Sequence, residues 1–267
     1  MPLGNLYILA YNWESRRRKN LYNINQFGKY SNNINNVITA AVGDVNGDGI
    51  LDYIYLTGNK VQGSSFIQDI TLNIKDGKTG IIQNFKLASD AGYSPTLILE
   101  DFTGDKVKDI LVSIASGGSG GIMFYYIFTY IDNQIRMIFD YEDYNNKYSY
   151  KVEFENFYKV SVTNIELQTK YIIDITYKGM DYLNDIYMPN GELKSPIEGW
   201  VDPLSGLYPI DFDGNGIYEL LGYQRISGLY HADSLGYVQS VLKWNGRKFY
   251  LMDQYVAIYG TEFDGNG

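Results

Sequence analysis

Cysteine is absent from the 267 residues, which excludes disulfides, thiolate metal sites and a cysteine nucleophile while leaving the compartment open. Histidine occurs once. His231 lies in Leu229-Tyr230-His231-Ala232-Asp233-Ser234, a turn between strand-like runs. With Asp233 and Ser234 it invites a triad, but residues this close in sequence seldom converge for nucleophilic catalysis, so a surface or packing histidine is expected. Basic residues are outnumbered, 22 against 31 acidic, for a net charge of -9. That balance disfavours nucleic acid and anionic membrane as partners of the whole surface. No apolar run has the length of a membrane-spanning helix. The short apolar run at residues 6–11 precedes the basic cluster at 16–19, the reverse of a secretory signal, so no export signal is expected. The cluster itself reads as a solvated hairpin tip.

Proline is also scarce, at 6, whereas glycine reaches 28 and tyrosine 27, and 45% of residues are hydrophobic. Aromatic and β-branched runs punctuated by glycine favour strands and tight turns over helices. The length suffices for one large domain or two small ones.

The sequence is organised around Asp44-Val45-Asn46-Gly47-Asp48-Gly49-Ile50-Leu51-Asp52, set between the apolar runs 37–42 and 53–56. Asp44, Asn46, Asp48 and Asp52 stand at loop positions one, three, five and nine, and Ile50 offers a backbone carbonyl at seven. Calcium takes six to eight oxygens, and carboxylates at this spacing around a glycine turn are a pattern that supplies them. An EF-hand loop closes with glutamate at position twelve between helices. Here position twelve is Tyr55, within a strand-like run, so a calcium loop between strands is expected.

The pattern recurs. Asp101, Thr103, Asp105, Val107 and Asp109 hold the same positions in a second copy, though Lys106 replaces a glycine. Asp211, Asp213, Asn215, Ile217 and Glu219 hold them in a third, and Glu262-Phe263-Asp264-Gly265-Asn266-Gly267 is a truncated fourth. The copies begin at residues 44, 101, 211 and 262, implying a period near 55 with one motif-free unit between the second and third. Each unit reads as four antiparallel strands, with Asn245-Gly246 a hairpin turn and Asn190-Gly191 marking the motif-free unit. Four strands repeated radially predict an all-β, single-domain propeller of about five blades. The blades fall at residues 38–94, 95–147, 148–205 and 206–253, with a closing blade from 1–37 plus 254–267.

These loops resemble FG-GAP/VCBS repeats, the calcium-loop blades of integrin-α-type β-propellers. The resemblance implies structural Ca2+ between the first two strands of several blades, an adhesive or lectin-like role, and an extracellular or cell-surface location. It supplies no activity by itself.

Other features are weaker. The Ser116–Gly121 stretch is rich in glycine but lacks the phosphate-loop lysine and the helix that should follow it, and reads as a hairpin turn. Tyr125, Tyr126, Tyr130, Tyr141, Tyr144, Tyr148 and Tyr150 form one tyrosine cluster, and Tyr223, Tyr230 and Tyr237 another. Cross-strand pairing accounts for most, and a rim minority suits a sugar or a protein partner. The expected function is a calcium-stabilised, non-enzymatic binding module for a protein or carbohydrate ligand. The alternatives are a glycan hydrolase or lyase working through Asp/Glu in a central pocket, and a purely structural surface component.

Overall fold

The computed structural model describes residues 36–260. The expected N-terminal hairpin, the basic cluster at 16–19, the loop at 262 and most of the closing blade lie outside the described residues.

The described residues form two compact units, one made of residues 36–115 with Tyr126–Met137, the other of Ser116–Tyr125 with residues 138–260. The fold is all-β, as expected. In the first meander β1 (Val37–Gly43), β2 (Asp52–Lys60), β3 (Ile67–Lys75) and β4 (Ile82–Lys86) pair antiparallel in chain order. Ile70, Leu72 and Ile74 alternate along β3 and are wholly buried, the period-two pattern of a strand with one face in a core. A second sheet has the order β5 (Tyr93–Glu100), β6 (Asp109–Ala115), β7 (Met123–Ile131), β8 (Gln134–Asp140). Nearly every residue of β6 is buried, because its Ile110-Leu111-Val112-Ser113-Ile114 run has no polar face to turn outward.

The loops 44–52 and 101–109 lie side by side in the first unit. The Lys108 amide donates to the Asp44 carbonyl at 3.1 Å. Gly43 admits this approach, since a Cβ there would meet Leu99 at 2.9 Å.

In the second unit the strand count departs from expectation. The motif-free stretch forms only three strands, β9 (Tyr150–Glu155), β10 (Lys159–Asn164) and β11 (Thr169–Asp174). Where a fourth was expected, at residues 186–193, there is a tight turn bridged by Tyr187 and Leu193, and a helix from Met180 to Ile186 precedes it. Leu183 and Ile186, three residues apart, are its buried side, a helical spacing and not a strand alternation. A second helix, Tyr141–Lys147, follows β8 and is capped by the Asp140 carboxylate accepting from the Glu142 amide at 2.8 Å.

β9 then joins β12 (Glu198–Ile210) through two residue pairs, Glu153 with Glu198 and Val152 with Gly199. This fuses β9–β11 with the meander of β12, β13 (Glu219–Ser227), β14 (Ser234–Trp244) and β15 (Phe249–Ala257) into one seven-stranded sheet. Val152, Phe154, Val160, Val162 and Ile173 on one arm share a core with Ile226, Leu235 and Val238 on the other, so the sheet curls into a nearly closed, barrel-like form.

Gln254 ties its two ends. Its Oε1 accepts from Asn164 Nδ2 at 3.1 Å, its Nε2 donates to Tyr150 OH and Ser240 Oγ at 3.0 Å each, and its carbonyl accepts from Tyr171 OH at 3.1 Å. Asn164 is wholly buried and has no water to turn to. Gln254→Leu therefore leaves Asn164 Nδ2 unpaired and should cost about 1–3 kcal/mol. Urea denaturation reads this as a lower midpoint with an unchanged slope.

Candidate functional site

The three expected calcium loops are present as turns between strands, with their carboxylates engaged by their own backbone. Asp44 accepts from Gly47 N at 2.7 Å and Gly49 N at 2.9 Å. Asn46 accepts from Asp48 N, Asp48 from Ile50 N, and Asp52 from Val45 N and Gly77 N, all within 3.0 Å. Asp101 likewise accepts from Gly104 N and Lys106 N, Asp105 from Val107 N, and Asp109 from Phe102 N and Thr103 N. Asp211 takes Asn215 N and Gly216 N, Asn215 takes Ile217 N, and Asp213 takes the Asn215 side-chain amide. Glu219 is held by Lys243 Nζ at 2.8 Å. Gly47, Gly49, Gly214 and Gly216 adopt positive φ, and Lys106 follows them at 71°. These are side-chain-closed turns of the kind Asp, Asn and Gly build without a metal.

Among the described residues no group of three or more His, Cys, Asp or Glu side chains converges where it could hold a metal ion. The calcium-binding and metal-binding expectations are corrected accordingly.

Burial raises the pKa of Asp109 to about 6, the Phe102 and Thr103 amides opposing it and the nearby Asp105 and Asp101 carboxylates adding to it. A carboxyl that holds its proton more tightly folded than unfolded stabilises most at low pH, and that contribution fades as pH rises through about 6. Asp109→Asn should therefore flatten a fall in stability on the order of 3 kcal/mol between about pH 4 and pH 7. Chemical denaturation at both pH values checks it. Likewise, 5 mM calcium and excess EGTA should give melting temperatures within about 1 °C of each other, because mass action adds nothing without a site.

A different constellation lies on the second unit. The Asp202 side chain is 1% exposed and gathers four donors. Ser227 Oγ donates at 2.6 Å, Trp200 Nε1 at 2.9 Å and Arg225 Nε at 3.1 Å, and His231 Nδ1 lies at 3.0 Å. Burial works against its charge, but the Ser227, Trp200, Arg225 and His231 hydrogen bonds outweigh that and hold its pKa below the usual carboxylate range. Beside an ionised carboxylate Nδ1 carries the proton, which leaves Nε2 of a half-exposed ring for an outside partner. The Trp200 ring packs edge-on to this imidazole at 5.0 Å. Arg225 also donates through Nη2 to the carbonyls of Ser119 and Gly120, at 3.1 Å each. The glycine stretch at 116–121 thus serves as a pair of carbonyl acceptors.

Asp233 fixes the other end of the His231 turn. Its buried carboxylate accepts from Lys178 Nζ at 2.6 Å, Tyr182 OH at 2.7 Å and Leu229 N at 2.8 Å. Here too burial is outweighed, by Lys178, the Leu229 amide and Tyr182, and the pKa is lowered. The turn between these anchors presents Leu229 and Tyr230 to solvent. Ser234 pairs with Tyr259 OH at 3.0 Å, so His231, Asp233 and Ser234 form no triad.

Beside this turn a file of tyrosines crosses the strands. Ring centroids lie 5.5 Å apart for Tyr208–Tyr223, 6.1 Å for Tyr223–Tyr237 and 6.4 Å for Tyr237–Tyr259, each pair packed edge-to-face. Tyr208 is 50% exposed and Tyr259 43%. Gly206 makes room for the first, since a Cβ there would meet the Tyr208 ring at 2.8 Å. Of these rings, Tyr223 and Tyr237 stand out in the sequence as a cluster. Tyr208 and Tyr259 carry no local signal, and Asp202 reaches His231 only through the pairing of Trp200 with Ser227 across β12 and β13.

The YybI C-terminal domain family matches residues 148–257, which comprise β9–β15. A Bacillus subtilis (strain 168) protein described as uncharacterized protein YybI is 51% identical over 226 residues, 85% of this chain and 86% of its own length. The chain belongs to the YybI family. Neither match is to FG-GAP or VCBS repeats, so that resemblance, with the adhesive repeat-protein role it implied, is corrected. The YybI C-terminal domain takes in the three-stranded arm and the β12–β15 meander together, as the fused sheet does, where a blade repeat would divide them. Both buried carboxylates and three rings of the tyrosine file lie within the matched residues, Tyr259 just beyond. Among the described residues no helix is long and apolar enough to cross a membrane.

Proposed function

We propose that the chain is a non-enzymatic binding module whose contact surface is the tyrosine file with the adjoining Trp200–His231 corner. The observation that carries this is the file itself. Its end rings are half-exposed, and its inner rings hold them edge-to-face. Tyrosine offers a large apolar face and a polar tip with few rotatable bonds, which suits recognition. The scaffold reading is narrower than five equal blades. The meanders β1–β4 and β5–β8 are separate four-stranded sheets, while β12–β15 is joined to β9–β11 in one seven-stranded sheet.

A glycosidase needs one carboxyl held protonated as general acid. Asp202 and Asp233 are instead held ionised by full sets of donors, which favours binding over hydrolysis at this surface. Their bonds position the 228–233 turn.

Tyr208→Ala and Tyr259→Ala should each weaken association with the natural ligand about tenfold while leaving the fold intact, the behaviour of an exposed aromatic anchor. Binding on a glycan and protein array, with circular dichroism melts as control, checks this. Unaltered binding in both variants would remove the proposal.

A further inference from the structure

We infer that the ligand of this surface is an uncharged polysaccharide, an assignment that rests on the binding-module reading above. Strand register puts Glu219, Tyr223 and Arg225 of β13 on one face with Tyr237, Gln239 and Lys243 of β14 and Asp253 and Tyr255 of β15. Both cations of this set are already matched. Arg225 gives Nε to Asp202 and Nη2 to two backbone carbonyls, and Lys243 pairs with Glu219 at 2.8 Å. An acidic polysaccharide, a phosphorylated chain or a nucleic acid would need an unmatched arginine or lysine here. Asp253, exposed at the edge of the face, adds negative charge, and the chain carries a net -9. The field of the surface thus repels polyanions.

The remaining groups are neutral and amphipathic. The half-exposed rings of Tyr208 and Tyr259 offer apolar surface to the C–H side of a pyranose. The hydroxyls of Tyr237 and Tyr259, the Gln239 amide and the Nε2 edge of His231 are the hydrogen-bonding chemistry that sugar hydroxyls match. The file runs from Tyr208 on β12 to Tyr259 beyond β15. That span suits several consecutive units of an extended chain better than a single sugar. A protein partner would more naturally meet such a file with unpaired charges of both signs at its rim to set orientation, and here Arg225 and Lys243 are turned to Asp202 and Glu219, leaving Asp253 as the exposed charge of the set.

The test uses the full chain with cellulose, chitin and laminarin as neutral probes, and polygalacturonate and hyaluronate as acidic ones. Depletion from solution and affinity electrophoresis read the binding. The expected result is retention on a neutral polysaccharide, unchanged between about 50 and 500 mM salt. Tyr208→Ala should reduce it tenfold or more, and Tyr208→Phe should keep most of it. Retention on the acidic probes that falls with salt would overturn the assignment, as would retention on none of the five. Protein binding that depends on Tyr208, with no polysaccharide retained, ends the glycan assignment and leaves the binding-module reading standing. If Tyr208→Ala and Tyr259→Ala alter no association of either kind, both fall.

Discussion

The apolar core shared by the two arms of the seven-stranded sheet is the constraint from which the second unit follows. β9–β11 bury Val152, Phe154, Val160, Val162 and Ile173 against Leu183 and Ile186 of the following helix and against Ile226, Leu235 and Val238 of the other arm. Curling onto β13–β15 provides the second of these contacts. The same curl brings Asn164 against Gln254 and Tyr171 against the Gln254 carbonyl, so buried polar groups at the seam are paired instead of stranded. It also leaves the opposite face of the β12–β15 meander turned outward, which is where the tyrosine file lies.

Within that outward face, charge is handled by enclosure. Asp202 and Asp233 are both nearly inaccessible and both ionised, and each is surrounded by donors from distant parts of the chain. Removing a donor would leave a buried anion exposed to its own desolvation cost, which is why such clusters hold a surface in one arrangement.

Much of the architecture was legible in the sequence. Glycine-punctuated aromatic runs identified the strands, and the three Asp/Asn/Gly stretches marked turns that the structure places between strands. What misled was the meaning of those turns. The same side-chain oxygens that would bind a cation also bond backbone amides two to five residues on, and at Asp44, Asp101 and Asp211 the amides have them. The motif-free unit was misread because residues 186–193 are bounded by apolar residues, and only the three-residue spacing of Leu183 and Ile186 betrays the helix before them. The site was least legible. His231 and its carboxylate are 29 residues apart, and the pairing that joins them passes two irregularities in the β12–β13 register. No local pattern encodes such a distance.

Gly228 sits at the base of the exposed turn, with the Asp233 carboxylate where its Cβ would be. Any side chain at 228 would push that carboxylate off Lys178 and Tyr182 and release one end of the turn. With glycine in place, the segment from Leu229 to Ala232 is tethered at both ends before any ligand arrives. Its ordering entropy has already been met by folding, at roughly 1–2 kcal/mol per residue. A partner meeting Tyr230 and His231 therefore finds them already immobilised, and its affinity is not diminished by the need to still them.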